Sequence, residues 1–300
     1  MNHKIERRTF LKTASAVSAA VVSSGLGGGW LGAAEAGPGT PHAEKLGWRV
    51  GCQAYSFNRF TFYEAIDKVA SMGLGYIEAY PGQKLSAEKP DLKVGEGLSA
   101  EVRAEIKKKL ADSKVKLVCF GVVGLPKEED ASRRIFEFAK DMGIETIVSE
   151  PSPDALDTIA RLCDEYQINV AIHNHPKDSR YWNPDTVLEA CRGRTKRLGA
   201  CADTGHWMRS DINPIDAVKK LKGRIISFHF KDLNRYGQGA HDVPWGTGKA
   251  DVRAILQEVY RQGFKGVFSA EYEHNWLNSV PEIAQSVAFF DRVAAELQKG

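Results

Sequence analysis

Short apolar or β-branched runs alternate along this chain with longer segments whose apolar residues recur at spacings of three and four. The short runs cover 48–55, 76–79, 116–122, 146–149, 169–172, 198–202, 225–230 and 266–270. Helical patterns fall between them, at 62–72, 100–113, 130–142, 154–167, 184–191, 214–221 and 252–262, and one at 281–297 closes the chain. Such alternation makes consecutive strands parallel, because each helix returns the chain to the same end of the sheet. Eight units over roughly 250 residues fit one α/β domain, a closed (β/α)8 or TIM barrel. An open doubly wound sheet competes with it, but that fold carries a glycine-rich phosphate loop after its first strand. Here the first run leads into Gln53-Ala54-Tyr55-Ser56-Phe57.

Local signals agree with these elements. Gly73 and Gly143 stand where two helices should stop. Asn183-Pro184 and Asn213-Pro214 stand where two should start, with asparagine as cap and proline in the first turn.

The N-terminus reads as separate from the barrel. Glu6-Arg7-Arg8-Thr9-Phe10-Leu11-Lys12 resembles a twin-arginine export signal, a weakly apolar stretch follows at 13–31, and Ala34-Glu35-Ala36 has the small-residue pattern of a cleavage site. This divides the chain into a signal peptide at 1–36, a Gly/Pro-containing linker at 37–47 and a barrel at 48–300, with the mature protein exported to the periplasm. An uncleaved anchor is the alternative, but Gly and Ser make a poor spanning helix of the ~20 apolar residues needed. Twin-arginine export, as the resemblance implies, carries folded proteins, which suits an enzyme that takes up its metal in the cytoplasm.

Charge and cysteine content exclude some classes. Lys and Arg number 41 against 38 Asp and Glu, mixed along the chain, so a net charge of +3 predicts no nucleic-acid partner. The five cysteines are odd in number and lack a C-x-x-C spacing, against both a disulfide framework and a cysteine zinc site. Cys52, Cys119 and Cys201 fall inside apolar runs and read as small buried hydrophobes.

Polar residues gather where the runs end. Glu78 ends the second, Glu150 the fourth, His173 and His175 the fifth, Asp203 and His206 the sixth, His229, Lys231 and Asp232 the seventh, and Glu271 and Glu273 the eighth. In a barrel these ends converge on one mouth. Carboxylates and imidazoles from separate strands could surround one divalent cation, Mn, Mg, Co or Zn by ligand type. Each residue also has a structural reading: Asp203 as a helix cap or turn former, Lys231-Asp232 as a surface ion pair, Glu78 and Glu273 as solvent-facing. Burying so many acids together is costly without a cation, which favours the metal reading.

Ala171-Ile172-His173-Asn174-His175, Asp203-Thr204-Gly205-His206, Ser227-Phe228-His229-Phe230-Lys231-Asp232, Val243-Pro244-Trp245-Gly246-Thr247-Gly248 and Ser269-Ala270-Glu271-Tyr272-Glu273 are similar to motifs of the xylose isomerase-like barrel superfamily, in its sugar phosphate isomerase/epimerase branch. The resemblance implies a single divalent metal, often Mn, with His173, Asp203, His229 and Glu271 as ligands and His206 on a substrate hydroxyl. The strand-five ligand of that pattern is Glu, and His173 stands there; Glu150, one strand earlier, could supply the carboxylate.

The expected reaction is proton abstraction next to a carbonyl through a metal-stabilised enediolate, catalysing sugar isomerisation or epimerisation. Glu271 is the leading base, His173 or His175 the second acid/base, and Lys231 a cation that steadies charge on oxygen. His206, Trp207, Glu78 and Trp245 are expected at the substrate; Trp182 and Trp276 lie in loops where indoles could stack on a sugar. Export favours a free sugar, keto-sugar or glycoside over a phosphorylated one. The same machinery suits β-elimination from a keto-sugar or polyol. An endonuclease-IV-like nuclease and a sugar-binding barrel without turnover are the remaining alternatives. The segment 234–242 is either a lid or a long turn, and a homo-oligomer is left open.

Overall fold

Eight parallel strands close into a barrel in chain order: β1 (Trp48–Gln53), β2 (Tyr76–Ala79), β3 (Lys116–Phe120), β4 (Thr146–Ser149), β5 (Asn169–His173), β6 (Leu198–Asp203), β7 (Ile225–Phe230) and β8 (Gly266–Ala270). This computed structural model describes residues 37 and 39–299, so the export-signal reading of 1–36 lies outside the described residues. The helices are α1 (Pro41–Lys45), α2 (Phe62–Ser71), α3 (Ala100–Asp112), α4 (Glu129–Met142), α5 (Leu156–Tyr166), α6 (Pro184–Cys191), α7 (Thr204–Arg209), α8 (Pro214–Lys220), α9 (Val252–Arg261) and α10 (Val280–Leu297). The single (β/α)8 barrel expected from the alternation is the observed fold. Among the described residues no helix is long and apolar enough to cross a membrane.

The predicted terminators work as their chemistry requires. Gly143 takes a left-handed φ of 74° at the end of α4. Asn183 and Asn213 accept backbone N–H groups at the starts of α6 and α8. Three local differences follow from tertiary contacts. The first strand stops at Gln53, whose side chain accepts the Tyr55 N–H and turns 54–57 into a 3-10 turn. Residues 37–47, read as a linker, contain α1, which is fastened to the barrel: Asp291 of α10 accepts the N–H groups of His42 (2.8 Å) and Ala43 (2.9 Å). The short α7 follows β6 directly, because Asp203 caps it by accepting the His206 N–H.

Side chains alternate between the two faces of each strand. Outward-facing aromatics pack the β1, β7 and β8 wall against α10. Phe228 stacks on Phe268 at 4.7 Å, and Phe290 lies 4.9 Å from Phe268. Two small clusters, Val118–Cys119–Val267 and Val148–Ala171–Cys201, are separate from this main core. Ala171 and Cys201 stand two residues before His173 and Asp203, so they share their inward face and floor the mouth. The cysteines read as buried hydrophobes are buried and free, and burial pushes the thiols of Cys52, Cys119 and Cys201 up.

Gly51 of β1 leaves no room for a side chain, since a Cβ there would lie 2.4 Å from the Tyr76 carbonyl oxygen. Gly51→Ala should therefore cost about 1–3 kcal/mol, seen as a drop of several degrees in the thermal midpoint. Gly95→Ala, with nothing within 4 Å of the added carbon, should stay within about 0.5 kcal/mol of the parent.

Candidate active site

Strand register brings the chemistry to one level: His173 pairs with Cys201, Asp203 with His229, and His229 with Ser269, two residues before Glu271. Backbone clamps hold these ends. The Asn174 side chain accepts the Asp203 N–H (2.9 Å) and donates to the Asp203 carbonyl (3.0 Å). Thr204 Oγ1 bonds both the N–H and the C=O of Lys231, each at 2.8 Å. Ser56 Oγ donates to the Ala270 carbonyl and accepts the Tyr272 N–H.

Four buried atoms in this layer have no hydrogen-bond partner: His173 Nε2, Asp203 Oδ2, His229 Nδ1 and Glu271 Oε2. His173 Nε2 lies 3.5 Å from Asp203 Oδ2, and His229 Nδ1 lies 3.1 Å from Glu271 Oε2. Buried polar atoms without partners are rare and expensive. A lone pair facing a carboxylate oxygen calls for a proton or a cation between them, so this donor set, two imidazoles and two carboxylates, fits a divalent metal.

The far nitrogen of each imidazole is oriented by a carboxylate. Glu78, fully buried, bonds His229 Nε2 at 2.8 Å and accepts from Ser269 Oγ at 2.6 Å. Its partner being a carboxylate, His229 carries a proton on Nε2, and Nδ1, which faces Glu271 Oε2, is the nitrogen that a cation would reach. Glu150 bonds His173 Nδ1 at 3.2 Å, and the same oxygen contacts His175 Nδ1. Glu150 thus supports His173 from behind and does not itself reach the group of four, while Glu150, His173 and His175 form a second close group. The strand-five position is filled by His173.

Distance alone would make His206 the fourth ligand: one atom each of His173, Asp203, His206 and Glu271 lie within 4.8 Å of one another, and His229 stands outside that group, joined to it by its 3.1 Å approach to Glu271. Hydrogen bonding decides otherwise. Arg209 Nη1 lies 3.0 Å from His206 Nδ1 and can only donate, so the His206 proton sits on Nε2. A protonated Nε2, here 3.5 Å from Asp203 Oδ2, is a donor and not a metal ligand. Burial holds the His206 pKa well below its usual value, consistent with a neutral ring.

Lys231 is fully buried. Its ammonium lies 2.9 Å from Asp203 Oδ2 and 2.8 Å from Glu271 Oε2, but only its 2.8 Å contact with Glu273 has hydrogen-bond direction. Burial opposes the charged form of Lys231, yet Asp203, Glu271 and Glu273 more than offset it and raise its pKa. Burial likewise opposes the Glu271 carboxylate, but Lys231 and His229 hold its pKa well below the ordinary range. Arg209 bonds Glu273 (2.7 Å) and Asp242 (3.0 Å). Burial pushes the Asp242 pKa up to about 7 against the pull of Lys231 and Arg209. Asp203, Glu271 and Glu273 lie beside Lys231, and Glu273 beside Arg209; burial opposes charge on His173 and His229, yet their neighbours raise both pKa values, and a divalent ion would take the place of the protons that this layer otherwise holds.

A cavity of about 300 Å³ opens onto this layer. One wall is reactive, with His173, His175, His206, Glu271 and Glu273; the other is Tyr55, Tyr80, Pro81, Gly121 and Val122. Several expectations are corrected. Glu78 is sealed beneath His229 and cannot touch substrate. Trp207 and Trp245 are 1% and 2% exposed; Trp245 packs on Phe230 and Phe290, because Asp232 draws its loop inward by accepting the N–H groups of Gly246, Gly248 and Ala250. Lys231 lies below the cavity and acts on the carboxylates, not on substrate oxygen, and neither it nor Asp232 is a surface residue. The segment 234–242 takes the form of a turn closed by the Leu233–Asp242 bridge. Arg209, Gln53, Tyr55 and Tyr80 were not anticipated; Arg209 follows His206 by three residues, a helical spacing that only α7 makes meaningful. Glu78→Gln should lower divalent-metal affinity about 10- to 100-fold, measured by competition with a chelating indicator, because it can no longer hold the His229 ring as firmly.

No curated protein matches this chain. A family model described as "Xylose isomerase-like TIM barrel" matches residues 66–293. A crystal structure of a putative uncharacterized protein from Parabacteroides distasonis is 33% identical, with a TM-score of 0.67 over 82% of this chain and 98% of that one. A structure of L-ribulose 3-epimerase is 13% identical, with a TM-score of 0.62 over 84% of this chain and 96% of the other. The probable 3-DHS dehydratase of Bacillus anthracis, involved in petrobactin synthesis, is 14% identical, with a TM-score of 0.61 over 81% and 98%. The last two likenesses are of fold. With most of its barrel matched by the family model and eight strands closed in chain order, the chain belongs to the xylose isomerase-like TIM barrel family.

Proposed function

We propose that this protein is an exported, divalent-metal-dependent enzyme that moves a proton next to a sugar carbonyl, as an isomerase or epimerase. The observation that carries this reading is a set of four buried atoms without hydrogen bonds at the ends of β5 to β8: His173 Nε2 lies 3.5 Å from Asp203 Oδ2 and His229 Nδ1 lies 3.1 Å from Glu271 Oε2, with the Lys231 ammonium between the two carboxylates. A divalent ion held there, Mn by the family resemblance, would polarise the substrate's oxygens and acidify the adjacent C–H. The Glu271 carboxylate, kept ionised by Lys231 and His229, takes that proton. His175, 48% exposed and braced by Glu150, stands on the same reactive wall and returns a proton. His206 donates its Nε2–H to a hydroxyl, in the tautomer Arg209 imposes. The aromatic wall of Tyr55 and Tyr80 takes the C–H face of the ring and keeps water from the intermediate. The twin-arginine-like N-terminus supports a periplasmic location and a non-phosphorylated sugar. The likeness to an L-ribulose 3-epimerase fold supports the reaction class.

One observation favours elimination as a second reading. The acid/base pair is unsymmetrical, Glu271 and His175 on one wall, where the family pattern has two glutamates. Such a pair suits a one-way reaction in which Glu271 removes the C–H proton and His175 protonates the departing oxygen as the double bond forms.

Incubation of the metal-loaded protein with free sugars and keto-sugars in deuterated water tests both. Deuterium should enter the carbon next to the carbonyl, with epimer or isomer for the first reading and an unsaturated product for the second. Chelation should abolish the signal and added Mn restore it. Glu271→Gln should slow exchange about 10²- to 10⁴-fold. Unlabelled, unconverted sugar across the panel would rule the enzymatic reading out.

A further inference from the structure

A second cavity, of about 530 Å³, adjoins the reactive one and shares Tyr80 with it. It is formed by the loops after β1 and β2, with Asn58, Arg59, Gln83, Lys84 and Lys93 in its lining. Two acceptors there lack partners: Gln83 Oε1 and Asn58 Oδ1 are buried atoms with no hydrogen bond. Gln83 is 2% exposed, and its amide orientation is fixed because Nε2 donates to the Phe60 carbonyl at 3.2 Å, which leaves Oε1 as the free end. Glu64, the acidic residue of the lining, is turned toward Thr61 N and Oγ1 at 2.7 Å. Among the described residues, Arg59, Lys84 and Lys93 enter no ion pair closer than 4.0 Å.

We infer that this cavity is a second sugar-binding subsite and that the natural substrate is a glycoside, with one unit at the reactive layer and a second across Tyr80. This rests on the sugar-acting reading above and names its substrate class. A cavity of about 300 Å³ is at the small end of ligand sites and suits one ring. The neighbouring space then has the chemistry for another. Unpaired amide carbonyls demand donors, which hydroxyls supply, and the three cations donate to hydroxyl oxygens in return. Arg59, Lys84 and Lys93 would attract an anion as well, but Gln83 Oε1 and Asn58 Oδ1 can only accept and find no donor on a phosphate or carboxylate, so the occupant that satisfies both sets is a hydroxyl-bearing polyol unit. The mouth extends the apolar wall outward: Tyr55 is 39% exposed, with Trp276 edge-on to it at 5.8 Å, and Leu277, the next residue, is 75% exposed.

Calorimetric titration of the metal-loaded protein with methyl glucoside, maltose, cellobiose and trehalose tests the subsite. At least one disaccharide should bind about tenfold tighter than methyl glucoside, the gain expected from one or two added hydrogen bonds. Gln83→Leu should erase that advantage, and Asn58→Ala, at a half-buried position, should reduce it in case the first variant folds poorly. Inorganic phosphate should not compete. Disaccharides no tighter than methyl glucoside, an advantage that survives both variants, or competition by phosphate would each overturn the inference, and a panel with no binding counts against it equally. Deuterium exchange on monosaccharides without a disaccharide advantage removes the subsite alone. A disaccharide advantage without exchange in any sugar keeps the subsite and removes the isomerase reading.

Discussion

The architecture of the mouth depends on buried negative charge that its own cations do not balance. Taking a carboxylate out of water costs on the order of several kcal/mol; Glu78, Asp203 and Glu271 are buried here, Glu150 and Glu273 are half-buried, and of these five Asp203, Glu271 and Glu273 lie beside Lys231 or Arg209. The protein meets part of this cost by pairing Glu78 with His229, Glu150 with His173 and His175, and Glu273 with Lys231 and Arg209, while Asp203 and Glu271 share the Lys231 ammonium at 2.9 and 2.8 Å. What is left without a hydrogen bond includes one atom from the end of each of four consecutive strands. That residue of unmet hydrogen-bonding capacity defines a cation site more sharply than the acids do as a group.

Division of labour follows from depth. The barrel interior is floored by small apolar residues, including Ala171 and Cys201. The layer above them is oriented from behind by Glu78 and Glu150 and from the side by Asn174, Thr204 and Ser56. The outermost groups, among them His175, His206, Glu271 and Glu273 on one wall and Tyr55 and Tyr80 on the other, line the open cavity. Such a site is preorganised: the ligands are held by hydrogen bonds that do not depend on substrate, so little rearrangement is needed when one binds.

How much of this was legible in the sequence differs residue by residue. The eight strands and most helix ends were readable because periodicity and capping are local. Asp203, His229 and Glu271 were readable as site residues because a barrel sends every strand end to one mouth. Lys231, Glu78, Trp207 and Trp245 were misassigned in role. Each lies near a strand end, but whether it faces the cavity or the layer beneath depends on inward or outward alternation and on loop course. Arg209 escaped notice because α7 begins only through the cap that Asp203 makes with His206.

The parallel (β/α)8 topology and the mouth at which acids and imidazoles meet are properties of the chain's own order, since both follow from the succession of elements and from where polar residues fall within them. Folding adds the rest: the carboxylate or guanidinium that orients each site imidazole, the place of Lys231 beneath the carboxylates, the docking of 41–45 as a helix, and the second cavity beside Tyr80. Those outcomes are set by partners as far apart in the chain as Glu78 and His229, whose juxtaposition arises only when the barrel closes.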